Sequence, residues 1–221
     1  MLYLQHTFMN RLQLQGVGKS YGRKDVLADV TVAFPTGLTL LTGPSGAGKS
    51  TLLRLVATAE RPSRGTMSWN DAALPGARGA LRSVLGYAPQ AVDLPDDLTA
   101  REFALHMAAL KGLDQRTADV QFGAISEAIG LHDAINDRIA TFSGGMRRRL
   151  IFAQSLLGSP RLLALDEPTA ELDHETAGRL ADLIREHART AAIVMTTHLA
   201  DELAPYALAV LRVEGGSVNA A

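Results

Sequence analysis

Gly43-Pro44-Ser45-Gly46-Ala47-Gly48-Lys49-Ser50-Thr51 sets three glycines beside a lysine and two adjacent hydroxyls. The spacing is that of a phosphate-binding loop, G-x-x-x-x-G-K-[ST]. Gly43, Gly46 and Gly48 can adopt conformations that turn successive backbone N–H groups inward, with no side chain in the way. A helix starting near Lys49 adds its unpaired N-terminal amides and the positive end of its dipole. Lys49 would then reach the β- and γ-phosphates of a nucleotide, and the Ser50 hydroxyl would ligate Mg²⁺. Gly16-Val17-Gly18-Lys19-Ser20 ends in the same letters, but Gln13 stands where the first glycine is needed, so no second loop of this kind is expected.

A second constellation is Leu162-Leu163-Ala164-Leu165-Asp166-Glu167, an apolar run closed by two carboxylates. A buried strand delivers its last residues to the carboxyl edge of a parallel sheet, where ligands bind. Asp166 there could hold Mg²⁺, mostly through water. Glu167 could polarise an attacking water as general base. Taken alone, acids after a strand are as readily solvated turn residues; beside a phosphate loop they gain a purpose. Ser143-Gly144-Gly145 precedes a helix whose first amides the two glycines leave open, a further anion site. Arg147, Arg148 and Arg149 follow it, and three arginines on a helix read first as a solvated or structural face.

The elements that must carry these residues can be read from periodicity. Leu38 to Thr42 is a buried strand before the loop, and Leu52 to Val56 opens the helix after it. Residues from about Leu12 to Ala33 alternate around Tyr21-Gly22 as paired antiparallel strands. A turn at Arg61 to Gly65 leads to a short strand at Thr66 to Trp69, and another strand spans Val84 to Ala88. From Thr99 to Gly130 the pattern turns helical, with Thr99 and Glu102 forming a capping box. Strands return at Arg161 to Asp166 and Ala191 to Thr197. A helical insert within a strand-rich core follows.

The bulk numbers narrow the classes. The 221 residues suffice for one large domain or a domain with a subdomain. Lys and Arg total 22 against 23 for Asp and Glu, a balance that argues against a broad nucleic-acid footprint. With no cysteine, disulfides, thiolate metal sites and cysteine nucleophiles are excluded together. Apolar stretches such as Leu150 to Leu157 and Ala204 to Val213 fall well short of the roughly 18 residues of a membrane span. Met1 to Asn10 lacks the basic cluster and apolar core of a secretory signal.

From about Leu12 to Gly216 the chain resembles the ATP-binding cassette ATPases, the nucleotide-binding subunits of ABC transporters, with its motifs in the family's order. Gly43 to Thr51 match the Walker A loop, Leu162 to Asp166 Walker B, and Glu167 the catalytic glutamate. Phe142-Ser143-Gly144-Gly145-Met146 match the signature, although Phe142 and Met146 replace the commonest leucine and glutamine; this form resembles the ABC-2 type exporter branch. Tyr21 matches the adenine-stacking aromatic, Gln90 the Q-loop glutamine, Asp173 the D-loop aspartate and His198 the switch histidine. Glu171 stands where the family commonly has a small residue.

The resemblance implies an α/β P-loop NTPase: a RecA-like core with a mixed sheet, an antiparallel β subdomain and an inserted α-helical subdomain. As one ABC ATPase domain over 1–221, the core would comprise 1–90 and 154–221 and the insert about 91–153. It implies ATP and Mg²⁺ as ligands, with Gly43, Pro44, Ser45, Gly46, Ala47, Gly48, Lys49, Ser50, Thr51 and Tyr21 on one nucleotide. Ser143, Gly144, Gly145 and Asp173 would act across a dimer of two ATPase subunits, expected to be two copies of this chain. Catalysis would rest on Glu167, His198, Gln90 and Lys49, and the metal on Ser50, Gln90 and Asp166. The remaining expected partner is a separate transmembrane permease. Nucleic acid and direct membrane insertion are not expected, and the protein would lie on the cytoplasmic face of the membrane through that permease. The alternatives left open are an ABC ATPase of a cytosolic complex and one acting on a membrane protein without transport.

Overall fold

Alternating apolar and polar residues on either side of Gly22 become two long strands, β1 (Arg11–Tyr21) and β2 (Lys24–Pro35), paired antiparallel. The computed structural model describes residues 10–91 and 93–221, so the reading of Met1 to Met9 lies outside the described residues. Along the chain follow β3 (Gly37–Thr42), α1 (Lys49–Val56), β4 (Arg64–Trp69), β5 (Ala72–Ala73), α2 (Arg78–Ser83) and β6 (Leu85–Ala88). Then come three helices, α3 (Ala100–Leu110), α4 (Gln115–Ala128) and α5 (Gly144–Leu156). The last stretch comprises β7 (Leu162–Asp166), α6 (His174–His187), β8 (Ala192–Thr196), α7 (Ala200–Leu203), β9 (Ala209–Glu214) and β10 (Ser217–Ala220).

The strands form two sheets. An antiparallel sheet has the order β2-β1-β4-β5, and a six-stranded sheet the order β10-β9-β3-β8-β7-β6. In the larger one β9, β3, β8, β7 and β6 run parallel and only β10 is antiparallel, so the sheet is mixed. Parallel strands covered on both faces read as continuous apolar runs. Here the pleat divides those runs between two cores. Leu163 and Leu165 of β7, with Ile193 and Met195 of β8, face α3, α4, α5 and α6. Leu162 and Ala164, with Ala192 and Val194, face α1 and the antiparallel sheet. The expected α/β class, with its antiparallel unit and its helices between β6 and β7, is the architecture the chain adopts.

Local chemistry sets the boundaries. The Thr99 hydroxyl accepts the Glu102 N–H at 3.1 Å while the Glu102 carboxylate accepts the Thr99 N–H at 2.8 Å, the reciprocal cap expected of α3. Asp114 caps α4 by accepting from the Thr117 N–H at 2.9 Å. Helix α5 lies so close to β6 that a Cβ at Gly86 would stand 2.0 Å from the Ser155 carbonyl oxygen. Strand β4 begins at Arg64, inside the stretch expected to be a turn, because Gly18 of β1 pairs with it there. Among the described residues no helix is long and apolar enough to cross a membrane.

Candidate active site

Strand β3 ends at Thr42 and the chain passes directly into the glycine loop. Gly43 has φ 127°, and a Cβ there would sit 2.1 Å from the Val213 carbonyl oxygen of β9, so only glycine fits. Gly48 is the N-cap of α1 with φ 106° and offers no side chain to the first amides of the helix. Those amides face the loop uncapped, an arrangement suited to phosphate. The Lys49 ammonium folds back and donates to the carbonyl oxygens of Gly43 at 2.7 Å and Pro44 at 2.9 Å.

Strand β7 delivers the acids to the same edge. Asp166 is 6% exposed, and its Oδ1 accepts from the Thr196 hydroxyl at 2.7 Å. That hydroxyl also accepts the Glu167 N–H at 3.0 Å, so β8 fixes both acids through one oxygen. Glu167 itself is left-handed, with φ 51°. Its Oε2 is buried and accepts no hydrogen bond among the described residues. Burial holds the Glu167 carboxyl above the usual carboxylate range; His198 and Lys49 pull it down, and Asp166 adds to the rise. The loop carrying His198 is set by Thr197, whose hydroxyl accepts the Leu199 N–H at 3.0 Å and meets the Thr169 hydroxyl at 3.2 Å.

A cleft of about 650 Å³ gathers Lys49, Ser50, Gln90, Asp166, Glu167 and His198 together with the glycine loop. Eleven of the expected residues, from four separate stretches, thus share one cavity. Ser50, Gln90 and Asp166 put side-chain oxygens in its wall, the ligand type a hard divalent cation takes. Other expected residues stand elsewhere. Tyr21 is outside the lining, its hydroxyl donating to Glu60 Oε2 at 2.6 Å with Lys19 5.0 Å from its ring. Ser143 caps α5, accepting the Met146 N–H at 3.2 Å, and neither it nor Gly144 or Gly145 reaches this cleft. Asp173 caps α6 through the Thr176 N–H at 2.9 Å and hydroxyl at 2.8 Å, bonds that hold its carboxyl below the usual range.

The three arginines of α5 each tie the helix to a different neighbour. Arg147 pairs with Asp96 at 2.7 Å, and Arg149 donates to the Gly130 carbonyl oxygen at 2.5 Å. Arg148 donates to the carbonyl oxygen of Glu167 at 3.0 Å. The structural reading of that run is therefore the better one. Sequence reasoning passed over Thr196, which organises the acids; its signal was a hydroxyl closing an otherwise apolar strand.

A model of the ABC transporter family matches residues 27–170. The chain is 34% identical over 189 residues to an uncharacterized ABC transporter ATP-binding protein of Bacillus subtilis, YxlF, covering 85% of this chain and 62% of that one. It is 36% identical over 196 residues to the Nod factor export ATP-binding protein I of Rhizobium johnstonii, covering 86% and 62%. It therefore spans less than two thirds of the length of these curated relatives. Among solved structures, the ATP-binding subunit of an ABC transporter superposes with a TM-score of 0.83 at 26% identity, over 94% of this chain and 87% of that one. A dimeric bacterial cassette, MJ0796, gives a TM-score of 0.85 at 22% identity over 94% and 96%, a likeness of fold. The glycine loop and the strand-end acids both lie in the matched segment, and the chain belongs to the ABC transporter family.

Proposed function

We propose that this chain is the ATP-binding and ATP-hydrolysing subunit of an ABC transporter of the export type, driving a separate membrane permease through ATP-dependent closure of a dimer. The observation that carries the reading is the single cleft holding Lys49, Asp166, Glu167 and His198, with the N-terminus of α5 at Ser143 to Gly145 outside it. A helix N-terminus exposed away from the chain's own cleft has a use if a second copy presents its own nucleotide there. Two chains facing head to tail would then enclose each ATP between the glycine loop of one and α5 of the other. Binding favours the closed pair and hydrolysis releases it, a shift of population driven by a ligand.

In the cleft, Lys49 and the open amides of α1 hold the phosphates. Glu167 accepts a proton from the attacking water as the water oxygen bonds to the γ-phosphorus. The bond from that phosphorus to the bridging oxygen breaks in line, leaving ADP and phosphate. His198, whose Nε2 lies 3.6 Å from Glu167 Oε2, contacts the γ-phosphate, and Tyr21 stacks on adenine once released from Glu60. No cluster of three or more His, Asp or Glu among the described residues forms a metal site without substrate. The oxygen donors Ser50, Asp166 and Gln90 would hold Mg²⁺, whose taste for oxygen ligands they fit. When bound, it neutralises charge on the phosphate oxygens. Asp173 belongs to the dimer face. The insert of about 91–153, with α5 running on from it into the core, is the permease-facing part, and the subunit sits on the cytoplasmic side of the membrane through that contact.

A tagged Glu167→Gln protein purified with ATP from solubilised membranes, with its partners identified by mass spectrometry, tests the reading. A stoichiometric polytopic membrane protein is the expected companion. Recovery from the cytosol with ribosomes or DNA and no membrane protein would remove the transporter role. Purified wild type that neither binds nor hydrolyses ATP would remove the enzyme.

A further inference from the structure

Glu167 and Glu171 are both left-handed, with φ 51° and 62°, so the segment they bound is strained at each end. A left-handed residue bearing a Cβ persists only where its surroundings hold it. On the N–H side of Glu167 the hold is Thr196, described above. On the carbonyl side it is Arg148, which donates from Nη1 to the Glu167 oxygen at 3.0 Å and approaches Glu171 Oε1 with Nη2 at 3.4 Å. The Arg148 side chain is 17% exposed and Glu171 68%, so the buried end of the clamp is the one on the acid of the cleft. The first turn of α5 rests on the same segment. A Cβ at Gly144 would meet Glu171 Oε2 at 3.4 Å, and one at Gly145 would meet Leu172 Cδ2 at 3.5 Å.

We infer that Arg148 is a positioning residue for Glu167, fixing the peptide from which the carboxylate projects and tying it to the N-terminus of α5. The inference rests on the ATPase reading above. The geometry gives the reason. Arg148 lies one helical turn after Gly144, so the guanidinium and the amides at Ser143 to Gly145 move as one body. An anion seated on those amides sets the helix, and the helix sets the Glu167 carbonyl. Removing the guanidinium leaves that carbonyl with only the Ala170 N–H at 3.2 Å, a bond within the same segment, and frees the segment from α5, which lets the carboxylate shift away from the water it must deprotonate. Binding of phosphates to Lys49 and the glycine loop does not pass through Arg148. The loss therefore falls on turnover and not on affinity.

The test uses the full chain in four forms: wild type, Arg148→Ala, Arg148→Lys and Arg147→Ala. ATP affinity, kcat, KM and melting temperature are measured for each. Arg148→Ala is expected to bind ATP as wild type does and to lose kcat about a hundredfold, the scale of a misplaced reacting group. Arg148→Lys, which keeps the charge and a donor, should recover part of that loss. Arg147→Ala, which cuts only the exposed pair with Asp96, should turn over normally. Wild-type kcat in Arg148→Ala overturns the proposal, as does a rise in KM at unchanged kcat. If the alanine variant does not fold, Arg148→Gln replaces it: a lysine variant faster than the glutamine variant supports the proposal, and a glutamine variant equal to wild type overturns it. Wild-type protein without turnover removes the ATPase reading and this proposal together, whereas active wild type with active Arg148→Ala removes only the proposal.

Discussion

His198 Nε2 stands 3.6 Å from Glu167 Oε2, yet the His198 side chain is 81% exposed and that of Glu167 only 13%. The pair joins a solvated cation-forming ring to a carboxylate short of hydrogen bonds. A protonated His198 favours the ionised carboxylate, so its removal leaves burial less opposed and raises the Glu167 pKa further. The acid limb of the kcat/KM profile of His198→Ala should therefore move to higher pH, with kcat reduced about 10²-fold if the γ-phosphate contact proposed for it is lost. A steady-state pH series on both proteins measures this, and an unmoved acid limb would separate the two groups.

Glu167→Gln keeps the shape of the residue and removes its basicity. ATP binding should be retained while turnover drops by about 10²–10⁴-fold, the range for a general base. Size-exclusion chromatography with ATP should then reveal a trapped dimer. Hydrolysis at the wild-type rate would mean that another group takes the proton.

The same substitution should change stability with pH. Burial raises the folded-state pKa of Glu167 above its unfolded value, so in the window between those values the folded chain holds the more protons. Stability falls as pH rises through that window, and above it the ionised carboxylate disfavours the fold. Nucleotide-free Glu167→Gln should melt above wild type at neutral pH, with the difference vanishing below the ordinary glutamate range. Differential scanning fluorimetry across pH reads it directly, and a neutral-pH melting point at or below wild type would contradict the sign.

Lys49→Ala deletes the loop's only charged side chain, now bonded to the Gly43 and Pro44 carbonyl oxygens. Nucleotide affinity should fall below detection at millimolar ATP, with the folded state retained. Titration calorimetry gives the answer, and unchanged affinity would displace the phosphate site.

Gly86→Ala should destabilise the chain by about 1–3 kcal/mol, the cost of overpacking, because its Cβ would collide with the Ser155 backbone of α5. Chemical denaturation monitored by far-UV circular dichroism is sufficient, and an unshifted midpoint would mean that α5 can lift off β6 at little cost.

The parts of the fold legible in the sequence were those written in local spacing. The glycine loop, the runs of β3, β7 and β8 and the Thr99–Glu102 cap each carry their pattern within a few residues. The mixed sheet was legible only through the resemblance, and its strand order was not legible at all, since no periodicity says that β3 lies between β9 and β8. The site divides in the same way. Lys49 and Asp166 announce themselves by type and place, but Tyr21 gives no sign that Glu60 holds its hydroxyl. Nor does the run of three arginines reveal that only Arg148 reaches the acid. Such contacts link residues far apart in the chain and depend on how helix and sheet settle together.

The fit of Gly43 against Val213 bears on the order in which the molecule is made. Gly43 follows β3 and Val213 lies in β9, the first and last of the parallel strands along the chain yet neighbours in the sheet, so the loop cannot take its working shape until β9 has docked beside β3. Contacts of such long sequence separation form late, after the entropy of closing the intervening chain has been overcome. Nucleotide is then a ligand of the finished fold alone. A nascent chain that carries every motif from Gly43 to His198 but lacks β9 still has nowhere to put a phosphate.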